Sequence, residues 1–190
     1  MILSRQELER IYNDCGNTQP VNPPTRNWEQ ASALATKRNK AILELVVFQG
    51  LNSHELQALT MKNLQLRAGK VHVEGGRRHN ARSLTLEAAQ GMDLMEYTLQ
   101  TRNELLQLRA KSRSPGLDPE EAMFVSVGSG SALNNTLNKL LQQITKLEPK
   151  VKTLQQLRAS VITHWIKTLN LREAQSGIPL REQHRGVFDQ

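Results

Sequence analysis

The side chains best suited to chemistry in this chain are arginines in two distant places. Gly75-Gly76-Arg77-Arg78-His79-Asn80 is a wide, basic turn, and Arg82 stands in the stretch that follows it. Arg158 opens an otherwise apolar helical run, Leu154 to Leu169. A guanidinium keeps its charge at any working pH, and its planar fork matches phosphate oxygens, so these residues suit a phosphate clamp and make poor proton donors. Burying Arg158 unpaired is costly, which points it toward a phosphate. A plainer role stays open for Arg77 and Arg78, as the solvated tip of a hairpin. The lone cysteine, Cys15, excludes an internal disulfide and a cysteine-based zinc site, and no metal or cofactor is expected. The two tyrosines, Tyr12 and Tyr97, fit core or surface positions, and His164 fits packing better than ligation.

These residues must be positioned by elements that the sequence lays out in order. Ser4 and Glu7 have the capping-box spacing ahead of Leu8 and Ile11, predicting a helix over 5–13. Residues 17–27 hold three prolines and no periodicity, as a loop does. Leu34, Ile42, Leu45 and Val46 recur at helical spacing from Trp28 to Gln49, and Gly50 ends that helix. Asn52 caps the next helix with Glu55 in the N3 place and Leu56 and Leu59 inward. Leu64-Gln65-Leu66 alternates like a strand, Ala68-Gly69 turns it, and Val71 and Val73 alternate with His72 and Glu74. After the basic turn a third strand spans Ala81 to Leu86. One helix is then predicted over 86–108, carrying Met92, Leu94, Met95 and Leu99. A charged loop (110–121) and the apolar segment Met123-Phe124-Val125 follow. Two more helices are expected, one bearing Leu133, Leu137, Leu140, Leu141 and Ile144, the other over 154–169. The fold class is therefore α+β and mainly helical, with a small three-stranded antiparallel sheet.

Length and composition agree. A chain of 190 residues can bury one ordinary core, and 25 Lys and Arg against 18 Asp and Glu give a net charge of +7. That balance favours a polyanionic partner, and nucleic acid rather than membrane, because no run approaches the roughly 18 apolar residues of a membrane helix. No apolar signal core opens the sequence, so a cytoplasmic protein is expected. Aromatics are only 4%, too few for a stacking platform on single strands.

From Arg38 to Leu86 the order of two helices and a β-meander with a basic last turn resembles the opening of the catalytic domain of tyrosine recombinases, the phage-integrase family. Thr153-Leu154-Gln155-Gln156-Leu157-Arg158-Ala159-Ser160 is similar to that family's box in which His, two residues and Arg open a helix. The resemblance implies DNA cleavage by a tyrosine hydroxyl, with arginines stabilising the charge that gathers on the phosphate and a hairpin lysine protonating the leaving oxygen. Carried over residue by residue, Arg158 keeps its place and Arg77 stands where the family has lysine. Arg82 matches the basic residue after the turn. Asn52 occupies the place of the first catalytic arginine, and Gln155 that of the histidine. Some integrases of mobile elements of the Bacteroidetes resemble this chain here, lacking the first arginine while remaining recombinases.

The resemblance covers residues 4–175 as one domain, with 176–190 an altered tail. The family's Gly-His turn and its nucleophilic tyrosine are missing from that tail, SGIPLREQHRGVFDQ, in which His184 stands alone. Back-translating Ser176 to Asp189 and reading one nucleotide later permits a string containing the lost tyrosine, so a frameshift is the expected origin. The family's separate N-terminal DNA-gripping domain has no counterpart, and an isolated domain or gene fragment is expected. The implied function is a site-specific recombinase domain that contacts duplex DNA through Arg77, Arg78, Arg82, Lys139 and Arg158, pairs with other protomers, and does not cleave. Two other readings stay open: a fragment completed by a partner's tyrosine, and a helical interaction module without a DNA role.

Overall fold

The computed structural model describes residues 2–16, 27–76, 80–111, 121–125 and 132–176. The chain starts where the sequence says it should. Helix α1 (Arg5–Gly16) is closed by its capping box: the Ser4 N–H donates to Glu7 Oε2 over 2.7 Å, and the Glu7 N–H to Ser4 Oγ over 3.2 Å. Leu8, Ile11 and Cys15, on one face, are buried against helix α2 (Asn27–Val47).

Helix α2 is the axis of the domain. Every residue from Ala41 to Val47 is buried, as a helix covered on all sides requires, and α1, α4, α5 and α7 all lie against it. It ends at Gly50, whose φ of +66° lets the Leu51 N–H return to the Leu45 carbonyl over 3.0 Å. Helix α3 (Ser53–Ala58) follows at once, with Leu56 and Leu59 buried as expected.

A three-stranded antiparallel sheet comes next, in the order β1 (Leu64–Gln65), β2 (Lys70–Val73), β3 (Arg82–Thr85). Leu66 leaves the predicted first strand for a 3-10 turn, Leu66–Ala68, and Gly69 closes it at φ +59°. Val71 pairs with Leu84 and Val73 with Arg82, so alternation sends Val71 and Val73 inward. The predicted single helix over 86–108 is instead α4 (Ala88–Glu96), a π-turn (Tyr97–Thr101) and α5 (Arg102–Lys111). Of its four singled-out apolar residues only Leu94 reaches the core. Met92, Met95 and Leu99 are exposed.

Met123-Phe124-Val125 is buried and runs beside the end of α3. The Met123 N–H donates to the Leu59 carbonyl and the Met61 N–H to the Glu121 carbonyl, each over 3.0 Å. The Tyr97 hydroxyl donates to the Met123 carbonyl and accepts from the Val125 N–H, both at 3.2 Å. Buried Arg38 gives one N–H to the Val125 carbonyl, and Arg102 gives two to that of Ala122. Helices α6 (Ala132–Leu147) and α7 (Leu154–Ser176) complete the domain, α6 through Leu137, Leu140 and Ile144, α7 through Leu157 and Val161. The α7 residues also hold the start of the chain. The Leu3 N–H donates to Ser160 Oγ over 2.9 Å, and the Leu3 carbonyl meets His164 Nε2 at 2.7 Å. His164 is thus a packing and tethering residue, as expected from its place in the helix.

Candidate functional site

Asn52 sets the geometry of the corner between α2 and α3. Its Oδ1 accepts the N–H groups of His54 and Glu55, each at 2.9 Å, and Glu55 Oε2 accepts the Asn52 N–H at 2.9 Å. That is a complete capping box. Its amide oxygen is spent on the helix end, so the side chain is turned into the backbone rather than outward.

The other oxygen of Glu55 receives a guanidinium from the sheet. Arg82 Nη1 donates to Glu55 Oε1 over 2.7 Å, and the Glu55 side chain is only 2% exposed against 31% for Arg82. Burial alone would raise the Glu55 pKa. The Arg82 hydrogen bond, the Asn52 N–H and the charges of Arg82 and Arg158 outweigh it, so the carboxyl lies below the ordinary carboxylate value.

Arg158 reaches the same corner from the far end of the sequence. Helix α7 opens on its own reciprocal cap, the Gln156 N–H donating to Thr153 Oγ1 and the Thr153 N–H to Gln156 Oε1. One turn into the helix, Arg158 Nε donates to the Gly50 carbonyl over 2.7 Å. Among the described residues its Nη1 and Nη2 groups have no hydrogen-bond partner. Half-buried and anchored by Nε, with its Nη groups unpartnered among the described residues, this guanidinium can donate to an anionic oxygen. Among the described residues, the charges of Arg82 and Arg158 both act on this one carboxylate.

Further along the same face of α7, Ile162 and the half-exposed Trp165 flank Gly50; a Cβ placed there would lie 3.5 Å from the indole. Below the corner a cleft of about 190 Å³ is lined by His54, Glu55, Ala58, Glu74 and Gly75, among others, at the root of the hairpin.

The predicted residues divide clearly. Asn52, Arg82 and Arg158 are brought together. Gln155 is exposed in the first turn of α7, and Lys139 is exposed on α6 with no hydrogen bond or ion pair among the described residues. Arg77 and Arg78 lie outside the described residues, as does the tail from 177. Tyr97 is buried, and Tyr12 is half-buried and hydrogen-bonded to Glu44. The sequence reading gave Glu55 a capping role and missed its pairing with Arg82. The alternation Arg82, Leu84, which puts both on the less exposed side of β3, carried that signal.

No protein-family model matches the sequence, and no curated protein does. Among solved structures the fold is similar to that of XerA recombinase, with a TM-score of 0.58 at 15% identity, over 100% of this chain and 64% of that one. The chain therefore has a recombinase-like α+β fold, mostly helical with a small antiparallel sheet, and spans about two thirds of that protein's length. No helix among the described residues is long and apolar enough to cross a membrane.

Proposed function

We propose that the chain is a catalytic-type domain of a site-specific tyrosine recombinase that binds duplex DNA and, as written, does not cleave it. The observation that carries this reading is the convergence of Arg82 and Arg158 on the Asn52–Glu55 corner, with two nitrogens of Arg158 unpartnered among the described residues. A phosphate oxygen at those nitrogens would complete a charge-assisted pair. Arg77 and Arg78, which fall between β2 and β3 in the sequence and outside the described residues, would add phosphate contacts by the family resemblance, and Lys139 one further off. The neutral Asn52, committed to its cap, cannot neutralise a phosphorane. The sequence offers Tyr12 and Tyr97 as its only hydroxyl nucleophiles of this kind, and both serve other bonds. In the recombination of mobile DNA such a domain would pair with other protomers on the duplex, in the cytoplasm.

Two measurements test this. Binding of duplex DNA should be measurable at low salt and fall steeply as salt rises. A nicked suicide duplex should give no covalent adduct with the protein alone. An adduct would show an active nucleophile and overturn the second half of the proposal. An adduct only with a complete recombinase present would favour a fragment completed in trans. No binding at low salt would overturn the first half and favour a helical interaction module, a reading to which the exposed Met92, Met95 and Leu99 stripe lends support.

A further inference from the structure

A second cluster of ionisable groups lies away from the arginine corner, where α1, α2 and α4 meet. Tyr12 of α1 donates its hydroxyl to Glu44 Oε1 of α2 over 2.6 Å, and the same hydroxyl lies 3.5 Å from Asp93 Oδ2 of α4. Lys40, one turn before Glu44, holds Asp93 Oδ2 at 2.8 Å. The two carboxyls are themselves within hydrogen-bonding reach of each other. Glu44 is only 2% exposed, and its second oxygen, Oε2, is buried with no partner if the group is ionised. An ionised Glu44 would thus leave a lone pair uncompensated and set two carboxylates against one ammonium. A proton on Glu44 removes the repulsion, since it gives one carboxyl a bond to donate and the other a bond to accept.

We propose that Glu44 and Asp93 share one proton in the folded chain at neutral pH, and that loss of this proton to solvent unlatches α1 from α2 and α4. Tyr12, Lys40 and Asp93 are the titratable and charged groups that act on Glu44; α5, α7 and the π-turn, which also pack on α2, add none. Burial first, then Asp93, pushes the Glu44 carboxyl up to about 8. Burial raises Asp93 too, but the bonds from Glu44, Lys40 and Tyr12 outweigh it and keep that group low. The proton therefore stays on Glu44. The folded value lies above the unfolded one, so the latch is fully stabilising below the unfolded carboxylate value and is lost as pH rises through about 8. Phe48, just after α2, packs edge-on against the Tyr12 ring at 5.1 Å, a contact that is lost when α1 leaves its seat.

The chain carries its own reporter. Cys15, the single cysteine, lies one turn beyond Tyr12 on α1 and is 6% exposed, so a thiol reagent reaches it when α1 leaves its seat. Labelling of the full chain is compared with labelling of Glu44→Gln, which keeps both hydrogen bonds without a titrating group. The ratio of native to variant rates cancels the thiol's own titration. It should rise roughly a hundredfold between about pH 6 and about pH 9.5, where Glu44 would be almost wholly ionised. A flat ratio overturns the latch. Carboxyl ¹³C titration of the glutamate-labelled native chain reads the proton directly and needs no variant to fold. One glutamate titrating above about pH 7 is expected, and all of them titrating in the ordinary range near 4 overturns the proposal. Neither readout involves DNA.

Discussion

Arg82 and Glu55 form an ion pair that joins the sheet to the α2–α3 corner, at 2.7 Å, with the carboxylate sealed and the guanidinium partly open to solvent. The pair has two duties, because the same carboxylate caps the backbone N–H of Asn52. Replacing Glu55 by Gln should cost about 1–3 kcal/mol in urea denaturation, since a buried charge partner is removed and Arg82 is left short of an acceptor. A loss below the error of the measurement would show that Arg82 finds water instead.

The same carboxylate predicts an acid limb. Its folded pKa lies below the ordinary value, so its contribution is present above the unfolded value near 4.3 and is lost as pH falls through the folded one. Denaturation midpoints of the native chain should therefore decline below about pH 4.5 more steeply than those of Glu55→Gln. Parallel declines would assign the acid sensitivity to other carboxylates.

Asn52 separates a helix cap from a lost arginine. Asn52→Ala should cost about 1 kcal/mol, the worth of an N-cap side chain. Asn52→Arg should cost a similar amount and add nearly one unit to the slope of log affinity against log salt on duplex DNA, without creating an adduct. An unchanged slope would place residue 52 outside the phosphate contacts.

For Arg158 the order of effects reverses. Arg158→Ala should lower that salt slope by about one unit while costing about 1 kcal/mol for the lost bond to the Gly50 carbonyl. Arg158→Lys keeps the charge but loses the fork, so it should restore most of the slope while binding more weakly than the native chain. Binding isotherms at several salt concentrations decide it, and a slope equal to the native one removes Arg158 from the site.

Gly50→Ala tests the turn itself. At φ +66° an alanine is strained, while the space beside the Trp165 ring accepts a methyl at ordinary contact distance. The cost should be about 1 kcal/mol, from backbone strain alone. A loss several times larger in thermal unfolding would mean that the indole cannot yield.

Local chemistry was legible in the sequence, and long-range partnership was not. Ser4 with Glu7 and Asn52 with Glu55 announced two helix starts, because a capping box lies within four residues. Alternation of Val71 and Val73 set the sheet's inner face. The break at Tyr97–Thr101 was hidden, since a π-turn shifts the hydrogen bonds while the apolar spacing still reads as one helix. Arg38, Glu44 and Arg102 drew no notice in the sequence, yet they are buried by partners far along the chain. The arginine corner shows both sides. The cap at Asn52 could be read directly, whereas the Gly50 carbonyl that positions Arg158 lies 108 residues from it and left no mark in the pattern.

The clip between Leu3 and α7 spans 157 and 161 residues, so it closes a ring of nearly the whole described chain. Loops of that length cost little more to close than loops half as long, but they close late, after the local helices have formed. The Leu3 segment is thus a keystone set last. Trimming the first four residues should release Ser160 and His164 and loosen α7 two residues from Arg158, so an N-terminal deletion would be felt first at the arginine corner.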